Sequence, residues 1–216
     1  MSTFSRLAFA SFFLLALAAC QSAYYGALES IGIEKRDVLV DRVKAARKAQ
    51  GEAQEAYVAA LDAFRAVVAF DGGDLERTYN RLKGKAEAAR AEANDLGNRI
   101  HAVESVSNAL FKEWEAELAQ YRDASLRARS REQLAQTKTR SAQVIAAMRR
   151  AEASFQPALA RLEDQVLFLK HNLNASAVGS IKNELPRVQA DADRLKRDIE
   201  AAVAEADRFL SEFTRQ

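Results

Sequence analysis

Two aspartates and one histidine are the side chains of this sequence best suited to chemistry. Asp71 and Asp74 enclose a pair of glycines in the segment FDGGDLE, and His171 begins the segment HNLNA. Two carboxylates with an imidazole suit a divalent cation or a polar ligand. The same residue types also end and cap helices, because glycine tolerates positive φ and Asp or Asn accepts hydrogen bonds from free backbone N–H groups. The pattern favours helix capping, and a ligand site is the alternative.

Known catalytic and metal-binding motifs are missing from the rest of the sequence. The ligand spacing of an EF-hand and the lysine of a P-loop are both absent. The chain has one cysteine and two histidines, so neither a Ser/His/Asp nor a Cys/His nucleophilic set can be assembled. We therefore expect no enzymatic activity, no bound metal and no cofactor.

The first twenty residues are typical of a targeting signal. Arg6 is followed by an apolar run of 13 residues, 7–19, which is too short to span a bilayer. The run ends in Leu17-Ala18-Ala19-Cys20, which resembles the lipobox of bacterial lipoproteins. That resemblance implies removal of residues 1–19 and lipidation of Cys20, whereas an ordinary signal peptide is the alternative. Gln21, rather than aspartate, after the cysteine favours the outer membrane.

Four apolar stripes with helical spacing run through residues 36–216. Their members recur in steps of three and four, the pattern of a left-handed coiled coil, and include Leu39 and Phe64 in the first stripe, Tyr121 at the end of the second, and Phe155 and Leu173 in the third. With only 8 glycines and 2 prolines in 216 residues, little interrupts these helices. The sequence predicts an all-α fold, an elongated antiparallel four-helix bundle with coiled-coil-like packing. A lipidated tether, residues 20–35, would precede this single domain, and a homo-oligomer whose second chain completes the stripes is the alternative.

The turns between the stripes are marked unequally. FDGGD separates the first two, and residues 122–131 separate the second and third, with Ser130 and Gln133 resembling a capping box. Pro157 lies inside the third helix, and Pro186 belongs to the first turns of the fourth. A turn near residue 126 places His171 opposite the neighbourhood of Arg81.

Antiparallel order brings the 71–74 corner to the same end of the bundle as the 171–179 break. We expect ligand or partner contacts there, from the residues Asp71, Asp74, Tyr79, Asn80, His171, Asn172 and Asn174. The opposite end, nearer the tether, has four arginines that contact anionic lipid headgroups or are simply solvated. They are Arg122, Arg127, Arg129 and Arg131.

The charge balance argues against nucleic acid as a partner. The chain has 32 basic and 30 acidic residues and a net charge of +2, whereas phosphate binding needs a basic surplus. The expected partners are instead the membrane, through the lipid on Cys20, and an unknown envelope protein.

Five segments in order resemble a family of Gram-negative bacterial lipoproteins known as domain of unknown function 2959. The segments are YYGALESIGIEKRDVLVDRV (24–43), FDGGDLERTYNRL (70–82), ALFKEWEAEL (109–118), AMRRAE (147–152) and LFLKHNLNA (167–175). The resemblance implies a helical fold and a lipoprotein context, and it implies no activity. The predicted function is that of a lipid-anchored periplasmic structural or partner-binding protein of the cell envelope. A metal- or small-ligand-binding protein, or weak enzyme, using Asp71, Asp74 and His171 is the alternative.

Overall fold

The computed structural model describes residues 32–213. Within this range the chain forms five α-helices and one 3₁₀ turn, with no strand. The helices are α1 Lys35–Val68, α2 Leu75–Glu117, α3 Ala124–His171, α4 Ala175–Lys182 and α5 Leu185–Phe213, and the 3₁₀ turn is Leu118–Gln120. The predicted all-α fold is confirmed. The predicted signal peptide and Cys20 lie outside the described residues.

The four long helices pack as an up-down-up-down bundle. Helix α1 lies against α2 and α5, and α3 lies against the same two helices, so each long helix has two antiparallel neighbours. The 48 residues of α3 span about 72 Å at 1.5 Å per residue, which makes the bundle elongated. No helix between residues 32 and 213 combines the length and apolarity needed to cross a bilayer.

One continuous core fills the space between the helices. The apolar stripes bury Tyr57 and Phe64 of α1 and Phe155 and Leu159 of α3, each almost wholly. Alanines at many intervening positions let the backbones approach closely. The hydroxyl of Tyr57 donates to the carbonyl of Ala158 at 3.4 Å, and burial raises the pKa of this tyrosine.

Ion pairs and hydrogen bonds join α2 to α3 along the hairpin. Arg90 lies 2.7 Å from Glu163, and Arg149 reaches Glu104 of α2 and Glu152 of α3. These long side chains meet within one residue of the positions expected from a turn near residue 126, but Ser107 bonds to Ser141, four residues from its expected partner at 145, so the register is shifted. Because Arg149 donates to it, the pKa of the Glu104 carboxyl lies below its ordinary value.

The turn between α2 and α3 differs from the prediction in its position. It occupies residues 118–123, and the N-cap of α3 is Asp123, whose carboxylate accepts the N–H groups of Ser125 and Leu126. The predicted capping box at Ser130 is wrong, because Ser130 is buried inside α3. Its Oγ accepts the indole N–H of Trp114 at 2.8 Å.

The fourth predicted helix is two helices. Helix α4 ends at Lys182, and α5 starts at Leu185 immediately before Pro186. Proline has no N–H and restricts the residue before it, so it kinks or ends a helix, and here α4 ends before it. Pro186 therefore occupies a first helical turn, as predicted, and α3 continues through Pro157 as predicted.

Candidate functional site at the distal end of the bundle

The turn between α1 and α2 is a capping structure. Asp74 is the N-cap of α2, and its Oδ1 accepts the backbone N–H of Arg77 at 2.9 Å. Gly72 and Gly73 adopt φ values of 154° and 101°, which residues with a Cβ atom rarely adopt. Asp71 is exposed beside them. Helix termination thus accounts for the glycines and for Asp74 without a ligand.

The segment after α3 has the same character. His171 is the last residue of α3 and is exposed. The side-chain amide of Asn172 donates to the carbonyl of Phe168 at 3.0 Å, and Asn174 caps α4 by accepting the N–H of Ala177 at 3.0 Å. Both asparagines therefore complete hydrogen bonding at helix ends.

The predicted cation ligands receive no support from the geometry. Among residues 32–213, no group of three or more His, Cys, Asp or Glu side chains is arranged to hold a metal ion. Asp74 already accepts a backbone N–H, Asp71 lies in an exposed loop, and His171 is exposed at the end of α3.

A groove between α2 and α3 lies close to this corner and contains one of the predicted residues. It has a volume of about 340 Å³ and is mostly apolar, and we call it the distal groove because it lies far from residue 32. Tyr79 is buried in its α2 wall, whereas Asn80 next to it is exposed. Nine residues line the distal groove: Tyr79, Lys83, Ala86, Glu87, Arg90, Glu163, Val166, Leu167 and Lys170.

Charges around the distal groove are unevenly neutralised. At its inner end the guanidinium of Arg90 makes two hydrogen bonds to the Glu163 carboxylate, at 2.8 and 2.7 Å, so this pair is balanced. At its outer end Lys83 lies 3.8 Å from Glu87, and Lys170 has no ion pair with any residue from 32 to 213. The open end of the groove therefore has a positive excess.

Exposed apolar side chains lie at the end of α3 and just beyond it, and Leu167 among them lines the distal groove. Leu167 is 59% exposed, Phe168 is 41% exposed, and Leu173 is 37% exposed just beyond the helix. The sequence pattern did not single out Leu167 and Phe168, and it predicted that Leu173 would be buried. The signal was the run Val166-Leu167-Phe168-Leu169, because one helix face cannot bury four consecutive residues.

The four predicted lipid-contact arginines lie at the opposite end of the bundle. Arg122 is in the turn before α3, and Arg127, Arg129 and Arg131 are in its first two turns. We call residues 118–131 the hairpin tip. Tyr121, which the stripe pattern predicted to be buried, is exposed there.

Comparison with known proteins identifies the family but no activity. No curated protein matches the chain. A family model described as protein of unknown function (DUF2959) matches residues 24–213, which is nearly the whole chain and includes every described helix. The chain therefore belongs to the DUF2959 family.

Proposed function

We propose that this protein is a lipid-anchored helical bundle of the bacterial envelope that holds a partner protein at its distal groove. The carrying observation is the exposed apolar side chain of Leu167 in a mostly apolar groove whose Lys170 has no ion pair within residues 32–213. Isolated exposed apolar residues are ordinary, but an apolar groove rimmed by charged side chains is typical of an interaction site.

The order of the helices supports a spacer role. Helix α1 begins at Lys35, whose ammonium lies 3.1 Å from Glu113 near the hairpin tip. The N-terminal segment that contains Cys20 therefore joins the bundle at that end. The 34 residues of α1 span about 50 Å from there to the distal end. A lipid on Cys20 would hold the distal groove well away from the membrane surface.

The charges around the distal groove define the chemistry of the proposed partner. Lys83 and Lys170 stand on opposite walls, while the inner pair of Arg90 and Glu163 is neutralised internally. A protein segment with apolar side chains and flanking carboxylates would cover Leu167 and pair with the lysines. Complementary charges of this kind favour association and the choice of partner.

Anchoring is tested by Cys20→Ala. We expect the wild-type protein to stay with membranes through a high-salt wash and the variant to appear in the soluble fraction, since the lipid is the proposed attachment. Ser22→Ala, two residues away, should behave as wild type. Retention of Cys20→Ala on the washed membranes would contradict lipid anchoring.

Partner binding is tested by a photo-crosslinking amino acid at Leu167 in living cells. We expect a discrete adduct from position 167 and none from Val58, an exposed apolar residue of α1 that is 45% exposed. Lys170→Glu should weaken the adduct several-fold, because it reverses the charge that the partner would meet. An adduct at Val58 of equal strength, or one indifferent to Lys170→Glu, would argue against this docking surface.

A further inference from the structure

The hairpin tip extends beyond the described ends of the two neighbouring helices, α1 and α5. The described end of α5 is Phe213, whose carbonyl accepts a hydrogen bond from Arg36 at the start of α1. On α3, Arg140 pairs with Glu212 at 3.1 Å, so α5 ends at the level of Arg140. The hairpin continues beyond this level, and on α3 the 16 residues from Arg140 to Ala124 span about 24 Å.

The projecting hairpin is firmly held. Trp114 donates to Ser130 across the hairpin, and Leu118 and Leu134 are buried between its arms. Lys138 of α3 also pairs with Glu115 of α2. The hairpin tip is thus a folded extension of the bundle, and its surface side chains are held on a defined backbone.

That surface is basic. Residues 118–131 contain four arginines and one acid, Asp123, and are bounded by Glu117 and Glu132. The Asp123 carboxylate is engaged by the backbone N–H groups of Ser125 and Leu126, and these hydrogen bonds lower its pKa. None of the four arginines forms an ion pair with another residue of the described range, 32–213. Together they form a local positive charge that the protein itself does not neutralise.

The arginines surround two exposed apolar side chains. Ser130 and Leu134 define the buried face of α3. At 100° per residue, Leu126 and Arg127 border this face on either side, while Arg129 and Arg131 lie further round on opposite flanks. Leu126 is 46% exposed and Tyr121, at the apex, is 38% exposed. The charge therefore lies on both flanks of the buried face of α3 at the tip.

We propose that the hairpin tip binds the surface of an anionic phospholipid bilayer. Arginines meet lipid phosphates, while Tyr121 and Leu126 enter the interface, where aromatic and apolar groups are favoured beside basic ones. The chain outside the described residues supports this occupant, because it joins α1 at the end that carries the tip. The 15 residues from Cys20 to Lys35 reach at most about 50 Å, well beyond the projection of the tip.

The orientation of the bundle rests on the lipid anchor proposed for Cys20, but the binding itself does not. With both contacts made, the bundle would stand on its hairpin tip and present the distal groove away from the membrane. The test therefore uses the unlipidated chain of residues 21–216, which contains every described helix and the whole described core.

The test is sedimentation of residues 21–216 with phosphatidylglycerol-containing vesicles. We expect binding that weakens with added salt and is far weaker on phosphatidylcholine alone. Each arginine near a charged surface contributes about fivefold, so replacing all four tip arginines with glutamine should weaken binding at least about 100-fold. Equal melting temperatures of the variant and the wild type will check that the fold is intact.

The matched control removes four arginines from the body of the bundle. Arg81, Arg150, Arg194 and Arg197 are exposed, and none has an ion pair within residues 32–213. Their replacement by glutamine removes the same net charge and should weaken vesicle binding less than about tenfold. Equal loss in the two variants, or no binding of the wild-type chain to anionic vesicles, would overturn the proposal. Loss of membrane retention in Cys20→Ala would not contradict binding by the hairpin tip, since the vesicle assay contains no lipidated cysteine.

Discussion

Phe155→Ala should lower the free energy of unfolding by about 3–5 kcal/mol, the range for truncating a fully buried phenylalanine. Phe155 has no exposed surface and lies on α3 one turn before Ala158, the residue whose carbonyl accepts from Tyr57. The substitution removes a ring from the layer where α1 and α3 meet. The neighbours on four long helices cannot close such a cavity without moving a whole helix. Urea denaturation followed by circular dichroism measures the loss.

Phe168→Ala is the matched control for this prediction. It makes the same substitution on the same helix, but its side chain is 41% exposed on the distal surface. We expect a loss below about 1 kcal/mol, as for surface substitutions that break no buried contact. Similar losses at the two positions would mean that Phe168 is covered in solution, for instance by a second copy of the chain.

Gln50→Met should raise the free energy of unfolding by about 1–3 kcal/mol, the cost of leaving a buried polar group without a hydrogen-bond partner. Gln50 has no exposed surface, and neither its Oε1 nor its Nε2 has a partner among residues 32–213. Tyr57 of α1 contacts Ala158 of α3, and the two helices run parallel. Moving seven residues back along each helix therefore places Gln50 level with Ala151, which is buried. Methionine keeps the length and flexibility of glutamine and removes its amide.

Gln54→Met on the same helix is the control, because Gln54 is only half-buried. Its unfolding free energy should change by less than about 0.5 kcal/mol. A marked destabilisation by Gln50→Met would show that the amide makes a hydrogen bond the folded protein needs. In that case Gln50 would act like the buried polar residues that select one register in coiled coils.

The periodicity of the sequence was sufficient to predict the helices and their antiparallel order. A step of three or four residues places a side chain on one face whatever its neighbour is, so Leu39, Phe64 and Phe155 could be assigned to the core directly. The register between α2 and α3 could only be approximated, because the turn lies at 118–123 and not near residue 126. Arg90 and Glu163 meet within one residue of the predicted positions, whereas Ser107 meets Ser141, four residues from its predicted partner.

Tertiary contacts decided which of two possible N-cap residues begins α3. Asp123 and Ser130 are both good N-cap residues, and no glycine or proline marks the turn between α2 and α3. In the folded hairpin the indole of Trp114 needs an acceptor at the level of Ser130, so Ser130 lies inside α3 and Asp123 takes the cap. The sequence contains both candidates, and only the packed hairpin distinguishes them.

Some features of the candidate sites could be predicted from the sequence, and others depended on the tertiary structure. Sequence alone predicted a lipobox at Cys20 and found the arginines of the hairpin tip and the capping residues of the 71–74 corner, because each is a local pattern. The distal groove depends on how far α2 and α3 stand apart near Tyr79 and Leu167, and on which two of four consecutive apolar residues face inward. Those properties belong to two helices at once, so only the tertiary structure could decide them.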